Sequence, residues 1–231
     1  MRLMSPERRR EEPRRAGPAL PDVRLPRDVV EEVRRTAHPR HTSEATDSLA
    51  RAVEKLEEGD PAGAVPFAER AKALATRSAT AREVLGLAYY GVERFRDALR
   101  EMQAYRRMSG RLDQNHIIAD CHRALGAHDK AAAAAEEALE GPISDDAKAE
   151  AVIVGASALA DRGRYAEALA LIRRFRRRPD VARPSDLRVW YVTGDILARA
   201  GRLEEAAAQF RKVVEHDPTA FDAADRLAQL G

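Results

Sequence analysis

The chain has 231 residues, of which 44% are hydrophobic, 34% charged and only 5% aromatic, and 40 Lys and Arg against 38 Asp and Glu leave a formal charge of +2. This length supports one or two domains. No apolar run of 18 residues exists to span a bilayer, and the charge is far from that of a dedicated nucleic-acid binder.

Residues 1–24 are rich in Arg, Pro and Glu, and Pro6, Pro13, Pro18 and Pro21 interrupt any helix there. They are predicted to be a disordered tail. A short helix is predicted over 26–37, with Asp28 near its start and Val29, Val30 and Val33 on one side. Residues 25–42 are thus read as a capping helix and linker. From residue 43 to the end, five two-helix units are predicted to begin near Ala45, Ala79, Leu112, Ala149 and Leu187. The connections at 141–146 and 179–186 are longer than the others. A last helix, 220–230, covers the open apolar face that a terminal repeat would otherwise expose. No alternating strand segment is found, and abundant Ala, Leu, Arg and Glu suit helices.

The units show themselves through an alanine that recurs at Ala64, Ala98, Ala131, Ala168 and Ala206, spaced by 34, 33, 37 and 38 residues. Five residues before each stands Gly59, Glu93, Gly126, Gly163 or Gly201, the place of a turn where a left-handed residue ends a helix. Small residues at Ala52, Gly86, Ala119, Ala156 and Gly194 mark a second close approach between helices, and Phe95, Met102, Tyr105, Tyr165, Ile172, Phe175, Phe210 and Val213 fill the gaps. A period of this size means stacked copies of one helical hairpin.

In the last unit Trp190, Thr193, Gly194 and Leu197 are followed by Ala206, Phe210 and Pro218. In the second, Leu85, Gly86 and Tyr89 precede Ala98 and Met102. These residues resemble the tetratricopeptide repeat (TPR) pattern W-x2-L-G-x2-Y, A-x3-F and P. The resemblance covers roughly 43–231 and implies an all-α, right-handed solenoid of about five TPR helix pairs with a capping helix at each end. The first unit departs from the pattern. Ser48, Arg51 and Lys55 stand where apolar residues are usual, while Leu49, Val53 and Leu56 form a rotated stripe on which the helix of Val29, Val30 and Val33 is expected to sit. Pro66, in the second helix of that unit, removes one backbone hydrogen bond and is expected to bend the helix.

In TPR proteins the first helix of each pair lines a concave groove. By that resemblance the partner-binding face is Glu83, Leu87 and Tyr90, then Asp113, His116, Asp120 and Arg123, then Glu150, Ile153, Ser157 and Asp161, then Arg188, Tyr191, Asp195 and Arg199. Six carboxylates against three arginines favour a partner peptide or protein with a basic segment, and Tyr90 and Tyr191 are candidate rigid anchors. The carboxylate clamp of chaperone-binding TPR domains is absent, because Leu49 and Val53 occupy its first-repeat positions.

Three other clusters carry less. His116 and Asp120 share a helix face, but two ligands make no metal site, and His122 is expected in the core. Arg173, Arg174, Arg176, Arg177 and Arg178 are candidates for nucleic-acid contact, read more simply as a cationic helix end. The tail's Arg8, Arg9, Arg10, Arg14 and Arg15 are diluted by Glu7, Glu11 and Glu12. No phosphate loop, nucleophile elbow or zinc signature appears, so no catalytic residue, metal or cofactor is expected. Cys121, the single cysteine, suits a reducing compartment. The charged start, 1–15, lacks a secretory apolar core, so the cytoplasm is expected. Arg outnumbers Lys 35 to 5, a skew of GC-rich bacterial genomes more than of a binding role. The reading is therefore a non-catalytic interaction scaffold, with an RNA- or ribosome-associated adaptor as the alternative and self-association as a third class.

Overall fold

A computed structural model describes residues 23–175 and 181–230. Among these residues it contains twelve α-helices, one 3₁₀ turn and no strand. The tail at 1–22 and Arg176, Arg177 and Arg178 lie outside the described residues.

Helix α1 (Arg27–Thr36) leads through the 3₁₀ turn Pro39–His41 into five pairs: α2 (Thr42–Glu57) with α3 (Pro61–Leu74), α4 (Ala79–Gly91) with α5 (Phe95–Ser109), α6 (Asn115–Ala124) with α7 (His128–Glu140), α8 (Asp145–Ala160) with α9 (Tyr165–Arg174), and α10 (Pro184–Arg199) with α11 (Leu203–His216). Helix α12 (Ala223–Leu230) closes the array. Four first helices start away from the expected positions, α2 at Thr42 running on directly from the 3₁₀ turn and the other three set by local caps and turns. Ser144 accepts from the Ala147 N–H and starts α8 early. Pro184, needing no N–H, is the first residue of α10. Leu112 lies in a turn, its carbonyl accepting from the Asn115 N–H, so α6 starts late.

Each pair reverses at a left-handed residue. Gly59, Gly126, Gly163 and Gly201 have φ between +72° and +75°, and Glu93 takes the same place at +60°. The close crossings lie where small residues were expected. A methyl on Gly86 would sit 2.9 Å from Met102 Cε, and one on Gly194 2.8 Å from Phe210 Cε1. Both pairs fall within one hairpin, so glycine lets each second helix press its large side chain on the backbone of the first.

The interior divides into two apolar clusters that meet at α7. Ala131 and Ala134 face the cluster that runs back to Val33 and Leu49, and Ala132, Ala135 and Ala138 face the one that runs on to Phe210 and Ala223. A run of alanines is what lets one helix serve both. Helix α3 continues through Pro66, which has no N–H to donate to the Ala62 carbonyl. At the N-terminal end Val33 is buried against the cluster of Ala45, Leu49 and Ala52, with Val29 packed beside it, while Val30 is half-buried.

Candidate partner-binding groove

The first helices of the pairs stand in a row. Helix α2 packs on α4, α6 on α8, and α8 on α10, and α4 is tied to α6 by a hydrogen bond from Tyr90 Oη to Asp120 Oδ2 at 2.6 Å. The face they share carries Glu83, Leu87, Tyr90, Asp113, His116, Asp120, Arg123, Ser157, Tyr191 and Asp195, all half-buried, with Arg188 and Arg199 exposed.

Most of its charges are already paired, and paired between repeats. Arg123 Nε donates to Asp161 Oδ2 at 2.7 Å and lies 3.7 Å from Asp120. Arg199 donates to Asp161 at 3.4 Å and to the Ala160 carbonyl at 2.9 Å, and stands 3.8 Å from Asp195. Arg226 of α12 reaches Asp195 at 2.9 Å, and Arg188 is bonded to Glu150. A ladder of alternating charge therefore runs from Tyr90 on α4 to Arg226 on α12. Asp113 accepts from Tyr105 at 2.9 Å and from Arg111 at 2.5 Å. Two carboxylates meet neutral donors instead: Glu83 accepts from Gln114 at 2.7 Å, and Asp222 from Tyr191.

This sharpens two expectations and corrects a third. The six carboxylates are not a free acidic surface, since five of them have an arginine within ion-pair distance. Tyr90 and Tyr191, the candidate rigid anchors, are engaged within the chain. Tyr90 is bonded to Asp120, and burial drives its phenol pKa far up. Tyr191 is bonded to Asp222, with its ring tilted 4.9 Å from that of Phe221 and edge-on 5.6 Å from that of Phe210. His122 is not the core residue of its helix. Cys121 fills that place with no exposure, and His122 lines an outer cleft with Gln103, Arg106 and Lys130.

His116 sits deep on the face with Nδ1 3.1 Å from the Asp113 carbonyl, and burial lowers its pKa. Burial likewise raises that of Glu83, against the Gln114 bond. No group of three His, Cys, Asp or Glu side chains among the described residues is placed to hold a metal. At the other candidate, α9 ends at Arg174, with Arg173 and Arg174 in its last turn. Arg174 is held by Glu136 and Glu140 at 3.0 and 2.9 Å. Gln114, Arg111, Asp222 and Arg226 were not anticipated. Arg226 was open to discovery by letting α12 continue the row of first helices.

A family model for the tetratricopeptide repeat matches residues 83–147 and 154–221. The chain belongs to the tetratricopeptide repeat family. No curated protein matches it. Its solved neighbours include TPR proteins of similar extent. TTC0263, a thermophilic TPR protein of Thermus thermophilus, is 19% identical over 80% of this chain and 98% of its own, with a TM-score of 0.60. YrrB, a TPR protein with an unusual peptide-binding site, is 19% identical over 81% and 93%, at 0.57. The apo quorum sensor NprR of B. thuringiensis is 15% identical over 88% of this chain and 61% of its own, at 0.65. At such identities the likeness concerns the fold. No described helix of the TPR chain is long and apolar enough to cross a membrane.

Proposed function

We propose that this TPR chain is a non-catalytic adaptor of the cytoplasm that holds a partner peptide in the groove formed by α4, α6, α8 and α10. One observation carries the reading. The polar groups of that face are locked to one another across four repeats, so the surface between them is preorganised, and a flexible segment ordering there meets a receptor that need not reorganise. The contact positions left for it are the half-buried Leu87, His116, Ile153 and Ser157, flanked by the paired charges. Glu83 and Asp222, the two carboxylates of that face with no ion pair among the described residues, favour a segment that carries Arg or Lys. Arg174 is spent on glutamates, and the nucleic-acid alternative gains nothing from it.

The test is a pull-down from host lysate with the intact chain and with Ser157→Arg, at low and high salt, each variant checked for an unchanged unfolding transition. Loss of a protein partner with Ser157→Arg supports the reading. Recovery of nucleic acid at low salt, equal for both chains, overturns it.

A further inference from the structure

The turn that leads into α12 carries a large side chain where a turn asks for none. Phe221 stands at φ +57°, in the left-handed region that suits glycine or asparagine and strains a bulky residue. Every other left-handed residue among the described ones is a glycine, save Glu93 in its hairpin turn. The turn is held by other groups. Asp217 accepts from the Thr219 N–H at 2.9 Å and from Thr219 Oγ1 at 2.7 Å, and its carbonyl accepts from the Ala220 N–H at 3.2 Å. None of these bonds needs a phenyl ring, and Phe221 is 52% exposed. A strained residue that its own turn does not require is a mark of a binding site.

The ring is nevertheless placed. It lies tilted 4.9 Å from the ring of Tyr191, whose hydroxyl donates to Oδ1 of Asp222, the next residue. Phe221 and Asp222 thus meet one tyrosine at the C-terminal end of the groove, one at its ring and the other at its hydroxyl. Asp222 is exposed, and its Oδ2 has no partner among the described residues.

The charge ladder stops one cation short at this place. Asp120, Asp161, Asp195 and Asp222 face only Arg123, Arg199 and Arg226, and the first three carboxylates take all three guanidiniums. One step inward the complete rung is present. Arg226 is bonded to Asp195 at 2.9 Å while its guanidinium lies over the Phe210 ring, 5.1 Å from the centre. Asp222 and Phe221 repeat the carboxylate and the ring without the cation.

We infer that the C-terminal end of the groove is a subsite for an arginine side chain of the partner, whose guanidinium lies on the exposed ring of Phe221 and donates to Asp222 Oδ2. Arginine suits it better than lysine, because a planar guanidinium stacks on a ring and forks to a carboxylate at once. This deepens the groove reading and rests on it, by naming the side chain that the bound segment presents beside α12.

An NMR titration of the intact chain, followed through the ring protons of Phe221 and Tyr191, tests it. The probe is a capped pentapeptide with arginine at the centre of four alanines, and the control replaces arginine by citrulline, of the same size but uncharged. The arginine peptide should shift both rings saturably, and the control should bind at least about tenfold more weakly. Asp222→Asn, which still offers Tyr191 an acceptor, should weaken binding about tenfold, Phe221→Leu about threefold, and Phe221→Tyr not at all. Each variant is first shown to unfold at the wild-type midpoint. Where Phe221→Leu does not, Asp222→Asn and the citrulline control decide. The proposal is overturned if the two peptides act alike, if neither ring shifts up to about 20 mM peptide, or if Asp222→Asn binds as the wild type does. Ser157→Arg should bind the pentapeptide normally, so failure of this subsite and failure of the groove reading show separately.

Discussion

Arg123 on α6 and Asp161 at the end of α8 form the ion pair that joins the third repeat to the fourth, Nε to Oδ2 at 2.7 Å. Arg199 of the fifth repeat shares the same carboxylate. The side chains are 39% and 28% exposed, so the pair works in a screened environment and its value lies in setting register rather than in stability. Asp161→Ala is expected to cost less than about 1 kcal/mol in urea unfolding, a difference that salt near 1 M should erase. A loss above about 2 kcal/mol would mean that the ladder behaves as one cooperative network.

The hairpin architecture was legible because each unit repeats the same local demands. A left-handed residue recurs five positions before an alanine, and Gly86 and Gly194 mark crossings that only a missing Cβ allows. The ladder was not legible in the same way. Whether Arg123 meets Asp161 depends on the stagger between helices 38 residues apart, and periodicity gives the face of a residue but not its partner. The exchange of His122 for Cys121 is a rotation of one residue, about 100° on a helix. At 120–122 Asp, Cys and His follow one another too closely to choose between them. That the predicted groove residues lie on one face followed from repeat register. That most of them are already bonded to each other required coordinates.

Glu93 is the one turn residue of the five with a side chain, held at φ +60° where its counterparts are glycines. It is exposed and its side chain has no partner among the described residues. A left-handed L-residue costs about 1–2 kcal/mol, and glycine's greater unfolded freedom returns about 0.5–1 of that. Glu93→Gly should therefore stabilise the chain by about 0.5–1 kcal/mol, raising Tm by roughly 1–4 °C. Scanning calorimetry decides it, and a lowered Tm would show that Glu93 makes a contact beyond its own turn.

Acid should weaken the fold first through two half-buried histidines. Burial lowers the pKa values of His116 and His122 below 6.5. Each therefore takes up a proton more readily in the unfolded chain than in the folded one. Stability from this source is complete above pH 6.5 and falls as pH drops below it. Glu83 works the other way, since its raised pKa makes the folded chain the better proton acceptor above 4.5. The depressed pKa of Glu32, held by Thr80 and Ser78 against burial, adds a loss only below 4.5. Urea midpoints from about pH 7.5 to about 5.0 should fall for the wild-type chain and flatten for His116→Gln/His122→Gln. Parallel slopes for the two chains would rule the histidines out.

The most consequential single carboxylate is Glu101 on α5, 1% exposed. Arg82 of α4 holds it at 2.7 Å, Arg100 at 3.3 Å and Lys72 of α3 at 3.5 Å, so three helices of two repeats meet on one charge. Removing it leaves Arg82 without its carboxylate, and its buried Nε already has no partner among the described residues. Arg82 keeps a bond to the Thr76 carbonyl at 3.1 Å, and Arg100 and Lys72 reach solvent. Glu101→Ala is thus expected to cost about 2–4 kcal/mol, somewhat under the loss for a wholly enclosed pair. The double variant Glu101→Met/Arg82→Leu should recover most of that, because it removes the stranded charge together with its partner and refills the volume. Chemical unfolding of the single and double variants gives the comparison. If the double variant is as unstable as Glu101→Ala, the charge cluster specifies the junction of the first two repeats through its geometry, and apolar filling cannot replace it.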